Sequence, residues 1–307
     1  MNTFITALLS VAIVVIIGYI AGKAKIIPEK CDSGLTIYIL NFSLPILLFN
    51  TVANANLQAL LEPKMNIAFV IGLFGMFVFT FLIHKFILKK SIQESAQTSY
   101  LCSYPNTAFL GIPLMLAIVG NQAMLPIVVS NIITGIIIIP ITLILIEIGV
   151  IGFDNINFKK IALKIVKTPL ITLSFAGLAF AVLGIKLPHL ISHSFEIIGS
   201  SSSGVSLFTL GLIISRFKIF PSKIVWLNIL FKNILHPLFM MIIIKLVGLD
   251  GLIAKELVIL CAMPPAVSAT FFSVLFGIQP EENISSTVLS TALSILTMSI
   301  FMYLVQI

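Results

Sequence analysis

The sequence predicts an all-α polytopic membrane protein, and its composition, the length of its apolar stretches and the placement of its charges all indicate this class. Only 9% of the 307 residues are charged, 59% are hydrophobic, and the mean hydropathy is +1.18. A soluble domain carries about 25% charged residues. Eighteen Lys and Arg against eleven Asp and Glu leave a net charge of +7. Because so few polar residues cannot cover a water-exposed globule, a soluble enzyme is excluded and the chain is expected in a bilayer.

Ten stretches are long and apolar enough to be predicted as spans, since a membrane helix needs about 20 mostly apolar residues. The connections between them are too short for a soluble domain. The longest connection surrounds Ile156 and is expected to be amphipathic or irregular. The predicted segments comprise residues 3–21, 34–53, 65–86, 95–119, 123–146, 169–185, 189–215, 224–247, 252–277 and 283–305.

The basic residues predict the orientation of this path. Thirteen Lys and Arg fall on one side of a ten-segment path and four on the other, with Lys232 inside a segment. Short cytoplasmic loops carry an excess of Lys and Arg. We therefore expect the thirteen on the cytoplasmic side of a plasma membrane (a bacterial inner membrane), with both termini on the extracytoplasmic side.

An internal repeat is indicated at an offset of 159 residues. At this offset residues 102–105 fall on 261–264, and residues 41–45 fall on 200–204. Each half contains five segments, an odd number, so the second half crosses the membrane upside down relative to the first. Such inverted repeats are typical of secondary transporters. The predicted halves are residues 1–150 and 151–307.

Polar residues lie beside prolines in the middle of the fourth and ninth segments. Asn106 and Thr107 follow Pro105, and Ser268 comes shortly after Pro264 and Pro265. Proline removes a backbone donor and clashes with the preceding turn, so both helices are expected to unwind there. Unwound backbone at this depth must be satisfied by protein or by a water-filled cavity. Ordinary kinks are the alternative, but the shared repeat offset favours a binding site.

Crossed breaks would bring half-helix N-termini together near the midplane of the membrane. Their N–H groups and positive dipole ends suit a carboxylate or another small anion. Asn106 and Thr107 would add side-chain donors. Asn41 and Pro45 of the second segment complete the predicted substrate-binding set, which comprises Asn41, Pro45, Pro105, Asn106, Thr107, Pro264, Pro265 and Ser268.

The order of four motifs resembles that of the auxin efflux carrier family of membrane transport proteins. The motifs are LNFSLPILLF at 40–49, PNTAFLGIPL at 105–114, SLFTLGL at 206–212 and AMPPA at 262–266. The start of the tenth segment, at residues 285–290, continues the similarity. The resemblance therefore covers nearly the whole chain.

This resemblance implies a ten-helix carrier with crossed, broken helices, as in bacterial sodium/proton antiporters and bile-acid symporters. The first, second, sixth and seventh helices would form a scaffold and dimer face, and the other six a mobile transport domain. The family includes plant auxin exporters and bacterial permeases for malate, malonate and similar carboxylates. By similarity, Pro105, Asn106 and Pro264 lie next to the substrate. The plant exporters tend to carry a polar amide at Pro265, which leaves Ser268 as the nearest polar candidate there.

Three ionisable residues are candidates for charge compensation or coupling. Lys232 lies about nine residues into the eighth segment, roughly 13 Å deep, where a charge is expected to face the bundle interior. It either balances an anionic substrate or pairs with carbonyl groups freed at the breaks. Glu196 is either a proton-coupling carboxylate or part of a hydrated helix end. His236 either titrates near physiological pH or packs as a neutral ring.

The predicted function is secondary active or potential-driven transport of small organic anions, by elevator-type alternating access in a homodimer. Mono- or dicarboxylates such as malate, malonate or auxin-like acids are the expected substrates, with a proton or sodium as a candidate coupling ion. The alternatives are an ion-coupled symporter of another substrate class on the same fold, and a membrane sensor that does not transport.

Other functional classes find little support in the sequence. The fifth segment offers Ser130, Asn131 and Thr134 where a proton antiporter would place paired aspartates. No paired acids, Ser-His-Asp set or histidine cluster occurs at membrane depth, so an intramembrane enzyme is not expected. Neither a cofactor, a metal nor a nucleic-acid partner is predicted.

Overall fold

The chain is helical almost throughout the part that the structure describes. The computed structural model describes residues 2–28, 30–55, 62–120, 124–152, 159, 163 and 167–307. The predicted connection around Ile156 lies outside these residues. The helices are α1 (Asn2–Lys23), α2 (Lys30–Ala53), α3 (Pro63–Ile87), α4 (Ile92–Ser103), α5 (107–119), α6 (124–151), α7 (Pro169–Leu183), α8 (His189–Arg216), α9 (Lys223–Val247), α10 (Gly251–Ala262), α11 (Val267–Phe276) and α12 (Pro280–Val305).

Local chemistry explains where several of these helices begin and end. The backbone N–H of Glu94 donates to the Ser91 hydroxyl oxygen at 3.3 Å, and the Ser91 N–H donates to the Glu94 carboxylate at 2.8 Å, which forms a capping box before α4. The Ser222 hydroxyl oxygen caps α9. Gly184 and Gly248 end α7 and α9 with φ of 66° and 65°, a conformation that favours glycine.

The described helices are those of a polytopic membrane protein, as the sequence predicted. Within the described ranges, six helical stretches are long and apolar enough to cross a membrane: α2, α3, 125–151 of α6, α8, α9 and α12. Shorter apolar helices occur at 9–23 of α1, 107–116 of α5, α7 and α11. The predicted fourth and ninth segments fall short of a continuous span because each is split into two helices. Ten spans therefore remain a prediction.

The helices form two packing groups. In one, α1 packs along α8, while α2 packs against α7 and α8. In the other, α4 packs against α3 and α6, and α12 packs against α9, α10 and α11. The contacts that α6 makes with α2 and α7 join the two groups.

Two close contacts in the first group are related by the repeat offset. Gly18 of α1 lies against the backbone of Phe208, and Gly177 of α7 lies against the backbone of Phe49. Gly177 is 159 residues after Gly18, and Phe208 is 159 residues after Phe49. A Cβ added at Gly18 would overlap the carbonyl oxygen of Phe208. The absence of a side chain is therefore what allows α1 and α8 to approach each other.

We expect Gly18→Val to destabilise the protein by about 1–3 kcal/mol, because the new side chain would force α1 away from α8. The measurement is the melting temperature of the purified protein in detergent. Gly34→Val is the matched control, since a Cβ at Gly34 of α2 meets nothing within 4 Å. Equal melting temperatures for the two variants would contradict the packing described here.

Candidate functional site

Two interrupted helices meet at the centre of the second packing group. The helix α4 ends at Ser103 and α5 resumes at residue 107, while α10 ends at Ala262 and α11 resumes at Val267. We call residues 104–106 and 263–266 the crossover. Both interruptions coincide with the prolines that predicted them.

The two crossover segments are joined by backbone hydrogen bonds. The N–H of Asn106 donates to the carbonyl of Pro264 at 2.9 Å, and the N–H of Ala266 donates to the carbonyl of Tyr104 at 3.0 Å. An isolated antiparallel bridge pairs Pro105 with Pro265. The polar groups that each proline break exposes are thus partly satisfied by the other break.

The residues paired at the crossover differ by one from those that the predicted repeat offset of 159 matches. The repeat offset matched Pro105 with Pro264, whereas the antiparallel bridge matches it with Pro265. Adding 160 to the residue numbers of Asn106 and Tyr104 gives Ala266 and Pro264, so each of the two hydrogen bonds has the other as its equivalent. In this pairing Ala266 corresponds to Asn106. The sequence alignment was based on identical residues, whereas the register of two extended segments is set by which N–H groups reach which carbonyl groups. Of the two crossover segments, only 104–106 carries a side-chain amide.

The crossover hydrogen bonds narrow the set of donors left for a ligand. The N–H groups of Asn106 and Ala266 are both used to join the segments, and the N–H of Thr107 donates to the carbonyl of Pro105 at 2.8 Å. The first turn of any helix has N–H groups without intrahelical partners. The N–H of Ala269 in α11 also donates, to the carbonyl of Ala266 at 3.0 Å. The donors available to an anion are therefore the remaining N–H groups in the first turns of α5 and α11.

Asn106 has the least engaged side chain of the predicted set at the crossover. It is only 5% exposed, and among the described residues its Oδ1 atom has no hydrogen-bond partner. It occupies the N-cap position of α5 but makes no side-chain capping bond. A buried amide oxygen without a partner is costly, so a donor from water or from a ligand would be stabilising at this position, or the amide would turn to present its N–H₂ group.

Thr107 and Ser268 instead connect the crossover to its neighbours. The Thr107 hydroxyl donates to the Asn131 Oδ1 atom of α6 at 2.7 Å, and the Tyr104 hydroxyl donates to the same oxygen at 3.0 Å. Ser268 shares a hydrogen bond of 2.9 Å with the Tyr100 hydroxyl. The sequence reasoning missed both tyrosines, although they lie four residues apart just before Pro105, a spacing that brings side chains together at the end of a helix; their rings stack with centroids 5.7 Å apart.

Lys232 and His236 lie together on α9 and are fully buried. The Lys232 Nζ atom donates to the carbonyl of Cys261 at 2.8 Å and lies 3.1 Å from the Nδ1 atom of His236. Cys261 belongs to the last turn of α10, where helix carbonyls are free and the dipole is negative. This geometry matches the alternative in which the lysine pairs with carbonyls at a break. Its role toward a substrate stays a prediction.

The remaining predicted residues lie away from the crossover segments. Glu196 is on α8, where its side chain is 71% exposed and 3.6 Å from the His193 ring. Pro45 is buried in α2. Asn41, also in α2, lines a cavity and, in the described part of the chain, has no hydrogen bond to the crossover.

A cavity of about 470 Å³ separates α2 and α7 from α6 and α11. Its wall is mainly apolar, with Asn41 on one side and Phe272 on the other, and it also carries Glu147 and Lys167. The Phe272 ring stacks on the Tyr100 ring with centroids 5.4 Å apart. Since Tyr100 in turn bonds Ser268, one layer of side chains connects the cavity to the start of α11.

The helices are apolar, and two of them are interrupted and joined by hydrogen bonds at the interruptions. This arrangement defines a polytopic membrane protein with a buried polar site. The family model described as "Membrane transport protein" matches residues 3–150 and 153–302. The chain therefore belongs to this family of membrane transport proteins, which confirms the resemblance to the auxin efflux carriers.

Two relatives match the chain over nearly its whole length. The protein named "Uncharacterized transporter YfdV" of Escherichia coli (strain K12) is 25% identical over 98% of this chain and 97% of its own. The protein named "Putative malonate transporter" of Rhizobium meliloti (strain 1021) is 22% identical over 95% of this chain and 92% of its own. The chain is thus similar to proteins named as transporters along nearly its whole length.

Proposed function

We propose that the protein is a secondary transporter of small organic anions, with mono- or dicarboxylates as substrates. The observation that carries this proposal is the crossover itself, where two half-helix N-termini meet and the side chain of Asn106, which makes no hydrogen bond within the described residues, offers its N–H₂ group as a donor. Helix N-termini favour negative charge. The name of the rhizobial relative, which refers to malonate, supports the carboxylate class.

The proposed architecture has ten spans arranged as an inverted repeat of residues 1–150 and 151–307. Two pairs of contacts support it: the contacts of Gly18 with Phe208 and of Gly177 with Phe49, and the two backbone hydrogen bonds of the crossover. In each pair, a two-fold relation between the halves would turn one contact into the other. The hydrogen bond between Ser43 and Ser202, which are 159 residues apart, fits the same relation.

Movement of one packing group against the other is the proposed transport step. The scaffold would consist of α1, α2, α7 and α8, and its exposed apolar surface would form the dimer interface. The remaining helices would carry the substrate across the membrane along the scaffold. The cavity supports this division, since α2 and α7 of the scaffold form one wall and α6 and α11 of the mobile group form the other. Such sliding gives the alternating access that a carrier needs.

The orientation follows from the basic residues, which would place both termini outside a bacterial inner membrane. Lys167 then lies on the cytoplasmic side, and because it lines the cavity, the described conformation would be open toward the cytoplasm. A cation at that mouth favours the entry of anions.

Counterflow in proteoliposomes tests the proposal. Vesicles loaded with unlabelled malonate, malate or an aromatic acid should take up the same labelled acid, while vesicles without protein should not. Uptake of a non-anionic substrate instead would favour the alternative symporter on the same fold. A ligand that raises the melting temperature, and so binds the folded form, but gives no flux would favour a sensor.

A further inference from the structure

A second cavity, of about 410 Å³, lies where the end of α1 meets the end of α8. Lys23 and Lys25 line it from the α1 side, and Ser215 and Arg216 line it from the α8 side. Among the described residues, it shares no lining residue with the cavity between α2, α6, α7 and α11. Because two membrane helices end here, the cavity lies at the level of the lipid headgroups, apart from the proposed transport site.

Arg216 forms one wall of this cavity, and its own charge is balanced. Its Nε atom lies 2.5 Å from Oδ2 of Asp32, and its Nη2 atom donates to the other carboxylate oxygen at 2.9 Å. Nη2 also donates to the carbonyl groups of Ile27 and Pro28, each at 3.3 Å. These bonds hold the connection between α1 and α2 against the end of α8, so the wall is fixed in position.

Lys23 and Lys25 supply the excess positive charge. Both side chains are exposed, and neither forms an ion pair with another described residue. The Nζ atom of Lys23 lies 5.7 Å from the centre of the Tyr19 ring. Residues 22–32 and 215–218 together carry five basic and two acidic side chains. The cavity is therefore suited to an anion.

The backbone at Lys25 makes the lysine at this position informative. The N–H of Ile26 donates to the carbonyl of Ala21, and the N–H of Lys25 donates to the carbonyl of Gly22, both at 3.1 Å. This is the hydrogen-bond pattern of a Schellman cap. Lys25 has a φ of 55°, a conformation that favours glycine. The chain thus carries a side chain here at a backbone cost, and that side chain lines the cavity.

An exposed apolar face of α1 leads to the cavity. Four isoleucines at spacings of three and four residues are 53–57% exposed: Ile13, Ile16, Ile17 and Ile20. Lys23 continues this face, since it follows Ile20 by three residues. The helix from Ile13 to Lys23 is about 15 Å long, which is half the hydrocarbon thickness of about 30 Å. The face therefore has the length of the acyl chains of one leaflet and ends in a cation.

We propose that the cavity binds the phosphate group of an anionic phospholipid, whose acyl chains lie along this face of α1. Basic pockets between membrane helices suit such headgroups, and Lys23 and Lys25 would donate to the phosphate oxygens. A second copy of the chain is a poorer occupant of the cavity. A two-fold axis along the membrane normal would bring the same basic end toward it, where like charges repel. The site does not depend on the transported substrate.

Lipid titration followed by native mass spectrometry tests the proposal on the purified protein in a non-ionic detergent. Wild-type protein should bind phosphatidylglycerol more tightly than phosphatidylcholine. The double variant Lys23→Gln/Lys25→Gln should bind phosphatidylglycerol about 30-fold more weakly, and phosphatidylcholine as the wild type does. Equal affinity of the wild type for the two lipids, or unchanged affinity of the double variant for phosphatidylglycerol, would overturn the proposal.

Lys25→Gly and Lys89→Gly form a matched pair of single variants. Lys89 follows the end of α3 with a φ of 53°, is exposed and does not line the cavity. Glycine suits both positions, so neither variant should unfold. Lys25→Gly should weaken binding of phosphatidylglycerol about fivefold, while Lys89→Gly should leave it unchanged. An equal loss in both variants would indicate attraction by overall charge and would contradict a defined site.

The melting temperature separates the lipid from other occupants. Phosphatidylglycerol should raise the melting temperature of the wild type more than that of the double variant, because it binds the folded protein at this cavity. Inorganic phosphate should give no comparable rise, since it makes no contact with the apolar face of α1. An equal rise with phosphate alone would assign the cavity to a soluble anion. A rise that follows protein concentration and not phosphatidylglycerol would assign the face to a second copy, and either result would overturn the proposal.

Discussion

Replacing Asn131 with leucine is expected to lower the free energy of unfolding by about 2–6 kcal/mol. The Oδ1 atom of Asn131 accepts hydrogen bonds from the hydroxyl groups of Thr107 and Tyr104. All three residues are buried, and each buried donor left without a partner costs about 1–3 kcal/mol. Leucine has the same branching and the same number of side-chain heavy atoms as asparagine but is larger, so no cavity forms. The loss would come from the hydrogen bonds, with overpacking added to it.

Chemical or thermal unfolding of the purified protein measures this loss. Asn54→Leu is the matched control, because Asn54 is exposed at the end of α2 and bonds only Asn50 within the described residues. If Asn131→Leu is as stable as the control, Asn131 does not anchor the crossover to α6. Transport by the variant should also fall, since the crossover would no longer be held against α6.

Replacing Asn106 with alanine is expected to weaken anion binding by about 1–3 kcal/mol, or about 5- to 150-fold in Kd, while the protein stays folded. The amide lies at the N-cap of α5 without an intramolecular side-chain partner for Oδ1. Its removal therefore breaks no side-chain bond of the free protein, in contrast to the removal of Asn131. A bound anion would lose a donor that sits beside the half-helix N-termini.

Titration with the carboxylate found active in counterflow measures this change, with the melting temperature of the free protein as the control for folding. Asn54→Ala should leave affinity unchanged. An unaltered Kd for Asn106→Ala in monodisperse protein would remove Asn106 from the binding site and leave the backbone N–H groups as the anion donors.

Prolines beside polar residues made the two interruptions predictable, because a proline lacks the N–H donor and clashes with the preceding turn. Pro45 and Pro237, in contrast, lie within α2 and α9, which continue through them. The partners of the broken ends were not predictable in the same way. Hydrogen bonds between Asn106 and Pro264, and between Ala266 and Tyr104, join residues that are far apart in sequence. Their register differs by one residue from the one that letter matching suggested.

Burial of the ionisable residues was also decided by the three-dimensional arrangement. Depth along a predicted span located Lys232 correctly in the interior, but it could not distinguish exposed Glu196 from buried Glu256. Both lie in helices that the sequence predicted. What differs is the direction in which each side chain points around its helix.

By itself, the sequence determined that the chain is a helical membrane protein, where two of its helices break, and to which family it is similar. These properties depend on transfer of side chains from water to lipid and on local backbone chemistry, which neighbouring residues decide. Only the tertiary structure decided which polar groups are satisfied at the crossover, which acid is dry and where the cavity lies. In a bilayer, residues facing lipid and residues facing the interior are both apolar, so periodicity does not separate them.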